Sequence, residues 1–157
     1  MPHVAVEQGM SNTPRNMHSE ASLNRRLVLF ATQLEGYLAH FPNCHKYTIT
    51  QGIRQAFLDV WNLTVEAQKR YHKKTTLGQL DVRHEQLRMM LNLAFEMGLF
   101  AHQNGKTKDP MKGQHRYITI SSRCDEIGRM IGGWLQKEFR SDADKSSGFA
   151  PAGAVGA

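Results

Sequence analysis

Residues 123–139 read RCDEIGRMIGGWLQKEF, and their spacing decides the fold. Cys124, Ile127, Ile131, Trp134 and Leu135 recur at intervals of three and four, so a 3.6-residue period gathers them on one helical face. Yet Gly128, Gly132 and Gly133 stand inside that helix, where each interior glycine costs roughly 0.8–1 kcal/mol relative to alanine. Ser121, Gly128 and Gly132 form a second stripe of small residues, about a quarter turn from the apolar one. Such a stripe lets another backbone come close. Packing within the protomer is the plainer use of it, and contact between protomers the other.

Working outward, three more segments carry the same period. Residues 20–41 place Leu23, Leu27, Phe30, Ala31, Leu34, Leu38 and Phe41 on one face, and Pro42 ends the helix. Residues 48–74 open on Thr48 and Gln51 at capping-box spacing. Their core stripe is Ile49, Ile53, Phe57, Val60, Thr64, Ala67 and Tyr71. Residues 77–103 follow a second box, Thr76 and Gln79, with Leu80, Leu87, Leu91, Ala94, Phe95 and Gly98 on one face. The fourth helix is expected over 117–140. No strand-like alternation competes, and the first two connections are short. The reading is all-α, an up-down-up-down four-helix bundle. It spans residues 20–140, with a flexible extension at 1–19 and a disordered tail of small residues, Pro and Gly at 141–157.

Two helices have more apolar surface than one buried face needs. Leu58, Trp61 and Val65 point away from the core stripe of the second helix. Met90, Leu93 and Met97 face about opposite to Leu91 and Phe95 in the third. Surplus apolar flanks favour burial in a homo-oligomer or under a partner, although a short bundle also buries more than one side of its central helices.

The chain has 157 residues and a formal charge of +6. Eighteen of its twenty Lys and Arg residues lie within 22–140, against ten of its fourteen Asp and Glu, so the basic excess belongs to the domain. That balance favours an acidic partner such as nucleic acid. Lys69, Arg70, Lys73 and Lys74 crowd the end of the second helix, where cations also suit the macrodipole. Lys106, Lys108, Lys112 and Arg116 occupy the connection at 101–116, and Arg54, Arg88, Arg123 and Arg129 are spread along helices. Cations without aromatic stacking platforms suit phosphate-backbone contact rather than base reading.

Catalytic constellations are absent from the sequence. No glutamate has a histidine three residues on, as a carboxylate-bridged di-iron bundle needs, and there is no His-Glu-x-x-His. Gly105-Lys106-Thr107 is no phosphate loop, because the first glycine of that motif falls on Phe100. No arginine has a histidine at the spacing of RNA-cleaving HEPN bundles. Cys124, on an apolar stripe, reads as an inert core thiol. Neither an enzyme, a cofactor nor a metal site is expected. Only Cys44 and Cys124 are present, which disfavours a disulfide framework. No signal peptide is evident, the longest apolar run at 27–31 cannot span a bilayer, and the chain reads as cytoplasmic.

The runs YTITQGIRQAF (47–57), EAQKRY (66–71), LDVRHEQLRMMLNLAFEMG (80–98) and DEIGRMIGGWL (125–135) closely resemble one family. It is the accessory variability determinants, the four-helix-bundle accessory proteins of diversity-generating retroelements. Bundle proteins encoded in intervening sequences of bacterial large-subunit ribosomal RNA genes are similar. The resemblance covers about residues 20–138 and departs in both tails and in the 101–116 connection. It implies a non-catalytic basic bundle that assembles as a pentameric barrel. Its partners would be the element's reverse transcriptase together with template RNA and cDNA, in support of mutagenic cDNA synthesis and retrohoming. Arg54, Lys69, Arg70, Arg88 and Arg129 carry over as candidate contacts for nucleic acid or polymerase, without base-specific reading. Gly128, Gly132 and Trp134 carry over as packing or assembly positions. The alternative is a stand-alone intervening-sequence-type bundle that binds RNA without a polymerase.

Overall fold

The computed structural model describes residues 13–148, with side chains from residue 19 onward except at Thr107. Four helices run in alternating directions: α1 (Thr13–Leu38), α2 (Gln51–Lys69), α3 (Lys74–Glu96) and α4 (Pro110–Ser147). Their order follows from the side chains that meet. Asn24 pairs with Gln68 and Glu35 with Arg54 across α1 and α2. His84 meets Cys124, and Phe95 stacks on Tyr117, across α3 and α4. Arg26 reaches Glu126 across α1 and α4. The chain is an up-down-up-down four-helix bundle.

The apolar stripes form one core. Leu23, Leu27, Phe30, Leu34 and Leu38 of α1 meet Ile53, Phe57 and Val60 of α2, Leu80, Leu87 and Leu91 of α3, and Ile120, Ile127 and Ile131 of α4. The Phe30 and Phe57 rings stack at 5.7 Å. No helix among the described residues is long and apolar enough to cross a membrane.

Helix ends depart from the sequence expectation. Neither capping box forms. The Thr48 hydroxyl bonds back to the His45 carbonyl (3.4 Å), because a 3-10 turn at Asn43–His45 and a π turn at Lys46–Thr50 lead without a break into α2. Thr76 lies inside α3 and is buried. Helix α2 stops at Lys69, where Arg70 turns extended (ψ 145°), so Tyr71 leaves the core stripe and is 88% exposed. Helix α3 ends at Glu96 rather than near 103, because Gly98 adopts the left-handed conformation (φ 74°) that closes helix C-termini.

The expected long connection at 101–116 is mostly ordered structure. A two-residue hairpin, β1 (His102–Gln103) with β2 (Thr107–Lys108), pairs antiparallel across the Asn104-Gly105 turn. Both turn residues have positive φ, as hairpin turns of the Asn-Gly type require. Helix α4 then starts at Pro110, seven residues earlier than expected. Asp109 is its N-cap, accepting from the Lys112 N–H (3.2 Å), and Pro110 occupies the first turn. Both outer helices also overrun the expected domain limits of 20 and 140, since no breaker interrupts them and an established helix propagates cheaply. The rest of the expected extension and tail, residues 1–12 and 149–157, lies outside the described residues.

Candidate nucleic-acid interface

The connection between α2 and α3 is too short to be buried, and its residues read KRYHKK from 69 to 74. Lys73 is partly committed here. Its ammonium donates to the Ala67 carbonyl (3.0 Å) and the Gln68 carbonyl (3.2 Å), satisfying the open C-terminus of α2. The same ammonium lies 5.6 Å from the centre of the Trp134 ring, and Lys74 lies 4.2 Å from that of Phe139. Arg70 pairs with Glu66 one turn back (2.5 Å). Lys69 is exposed, with no ion-pair partner among the described residues.

The sequence-predicted cations therefore split into two groups. Lys69, Arg70, Lys73 and Lys74 gather at one end of the bundle. Arg54, Arg88 and Arg129 do not join them. Arg54 makes a bidentate pair with Glu35 (2.8 and 2.9 Å), which raises its pKa through those hydrogen bonds. Arg88 makes another with Glu85 (2.9 and 2.7 Å), which lowers the glutamate and raises the arginine. A guanidinium held in this way has less charge to offer a phosphate. Arg129 is exposed on α4 and unpaired among the described residues. Arg116, read from the sequence as part of a surface cluster, is buried. It donates to the Phe100 (3.3 Å) and His102 (2.8 Å) carbonyls and to Gln103 Oε1 (2.8 Å), holding the hairpin onto α4.

Sequence reading missed the aromatic groups of this end. Tyr71 projects from the turn against His72, with ring centroids 4.8 Å apart, and Phe139 is 48% exposed. Trp134 walls a cavity of about 340 Å³ between α1, the turn and α4, with Leu23, Met130 and Gly133 as its apolar surfaces. Glu20 and Glu138 line it together with Lys73 and Lys137. The signal was the interleaving of aromatic and basic residues within 69–74, hidden by reading Tyr71 as core.

The remaining assembly candidates lie elsewhere. A Cβ at Gly128 would stand 2.5 Å from Cε1 of His84, so this glycine makes room for an imidazole within the protomer. The buried His84 Nε2–H donates to the Cys124 carbonyl (2.7 Å), and Cys124 Sγ lies 3.5 Å from the same nitrogen. Gly132 and Gly133 are different: no atom comes within 4 Å of a Cβ built there. Leu58 and Val65 are 47% and 44% exposed, whereas Trp61 folds back against Phe57 (6.2 Å). On α3, Leu93 and Met97 are exposed and Met90 is half-buried.

A family model described as bAvd-like matches residues 23–138, which is most of the chain. The chain belongs to the bAvd-like family. No curated protein and no solved structure matches it. The bAvd-like span takes in the basic turn, Trp134 and the hairpin, and leaves Phe139 just outside. It supports an Avd-like protein and carries nothing about ribosomal-RNA intervening sequences.

Proposed function

We propose that this bAvd-like chain is a non-catalytic accessory subunit of a diversity-generating retroelement. It binds the element's reverse transcriptase together with template RNA and cDNA, and supports mutagenic cDNA synthesis during retrohoming. The family match over residues 23–138, which takes in part or all of every helix, carries this reading. The basic turn at 69–74 supports phosphate contact, because lysines near a surface turn attract a polyanion without selecting its sequence. The exposed Leu58, Val65, Leu93 and Met97 support self-assembly, for which five protomers are expected.

The non-catalytic assignment draws on the chemistry of the best nucleophile candidate. Burial pushes the Cys124 thiol up to about 12, so it stays protonated at neutral pH, and a thiol is a poor nucleophile.

Examining the gene neighbourhood for a reverse transcriptase and co-expressing that polymerase with this chain tests the proposal. The two proteins are expected to co-purify, and cDNA synthesis from the template RNA is expected to require the accessory chain. A polymerase that works equally well without it, and never co-purifies with it, overturns the reading. RNA binding by a chain whose gene has no polymerase neighbour would favour the intervening-sequence alternative.

A further inference from the structure

We propose that the end of the bundle at the α2–α3 turn takes single-stranded nucleic acid, with one unpaired base in the Trp134 cavity and its phosphates on the basic turn. This deepens the proposed function and rests on its nucleic-acid contact. Composition and placement carry the inference. The cavity, about 340 Å³, sits at the small end of the range for ligand pockets, roughly 300–1,000 Å³, a size for one flat heterocycle rather than a duplex. Its apolar walls are the Trp134 indole, the Met130 thioether and Leu23, with Lys73, Lys137, Glu20 and Glu138 around them, and an indole face is a platform on which any base stacks. The Glu20 and Glu138 carboxylates accept from the amino and ring N–H groups of a base, and the Lys73 ammonium beside them can donate to its carbonyl oxygens.

The phosphates of the strand lie along the rim of the cavity, at the basic turn. There Lys73 keeps one N–H beyond the two that it gives to the Ala67 and Gln68 carbonyls, and Lys69 and Lys74 follow along the turn, beside Arg70, whose charge Glu66 partly offsets. Tyr71 and Phe139, both exposed beside those cations, offer stacking surfaces to flanking bases. A base within a duplex shows only its edge in a groove and cannot enter a recessed pocket unless it leaves the stack. Alternating cations and exposed aromatics are the recurring construction of single-strand binders.

The chain has two tryptophans, so Trp61→Phe leaves Trp134 as the sole indole reporter in the full-length protein. Its fluorescence is followed on titration with oligo-rU, oligo-dT, an abasic strand of equal length and a blunt duplex. Quenching by oligo-rU or oligo-dT but not by the abasic strand or the duplex is expected, and the tighter of the two strands identifies the preferred sugar. Gly133→Leu fills the mouth from a position whose Cβ meets no atom within 4 Å, so the bundle is expected to fold. It should weaken single-strand binding about tenfold, the loss of one stacked base, and leave duplex binding unchanged. Equal affinity for abasic and normal strands, or no effect of Gly133→Leu, overturns the base pocket while leaving phosphate contact standing. Failure to bind any of the four overturns both.

Discussion

Gly128 and Gly133 stand five residues apart on one helix and do opposite things. His84 occupies the space a side chain would take at Gly128, and its Nε2–H bond to the Cys124 carbonyl keeps the ring there. Gly128→Ala is expected to cost about 1–3 kcal/mol of stability, the usual scale for overpacking a filled interior. Gly133→Ala should instead gain about 0.8–1 kcal/mol, since it removes a helix-interior glycine and meets no neighbour. Urea unfolding of the two variants checks both signs. Cys124 allows a pH prediction. Its thiol is raised from an ordinary 9.0 to about 12 by burial. Between those values the unfolded chain has lost this proton while the folded chain keeps it. Stability contributed here is full below pH 9 and declines above it, by up to about 1.4 kcal/mol per pH unit. Cys124→Ala should flatten that part of the stability curve, and the exposed Cys44 should alkylate far faster than Cys124 in the native protein.

Elements are held by their ends. The hairpin of β1 and β2 is too short to be stable alone and is fastened from three sides. The Gly105 N–H bonds the His40 carbonyl (2.9 Å), the Asp109 N–H bonds the Ala101 carbonyl (2.7 Å), and Arg116 holds two further carbonyls from below. Arg116→Met should leave those carbonyls unmet, at roughly 1–3 kcal/mol each, and Arg116→Lys cannot reproduce the planar fork. Accelerated hydrogen exchange at the Gly105 amide would report the loosened hairpin. Removing the α4 cap with Asp109→Ala should cost about 1 kcal/mol. The helical stripes were legible because burial repeats with the helical period, whereas ends were not. Thr48 and Thr76 have the spacing of caps, but upstream turns absorbed Thr48 into continuous helix and α3 begins at Lys74, ahead of Thr76. The Asp109-Pro110 and Asn104-Gly105 pairs do carry local signals for a helix start and a hairpin turn, and they were overlooked.

At the scale of the whole molecule, apolar surface and charge make separate predictions. Light scattering coupled to size exclusion is expected to report a multimer, five protomers by the proposed assembly. Leu58→Asp with Val65→Asp should reduce it to a folded monomer, because both side chains are already exposed in the protomer. A wild-type monomer at micromolar concentration would end that expectation. Nucleic-acid affinity should fall steeply with salt, with a log–log slope of about −0.7 for each phosphate contacted on a single strand. Replacing Lys69, Arg70 and Lys74 together should flatten that slope. Lys73 is left in place because it caps α2 and its loss would confound binding with stability.

The amino-acid order alone determined that four amphipathic segments fold into a helical bundle, since the apolar period is a local property read over a few turns. It also placed the basic excess in the domain and marked the turn at 69–74. Which cations are free was decided only in three dimensions. Arg54 and Glu35 are nineteen residues apart in the chain and meet only once α1 packs on α2. The same holds for the Trp134 cavity, whose walls come from α1, a turn and α4. Side chains distant in sequence become neighbours only through packing, and no local period encodes that.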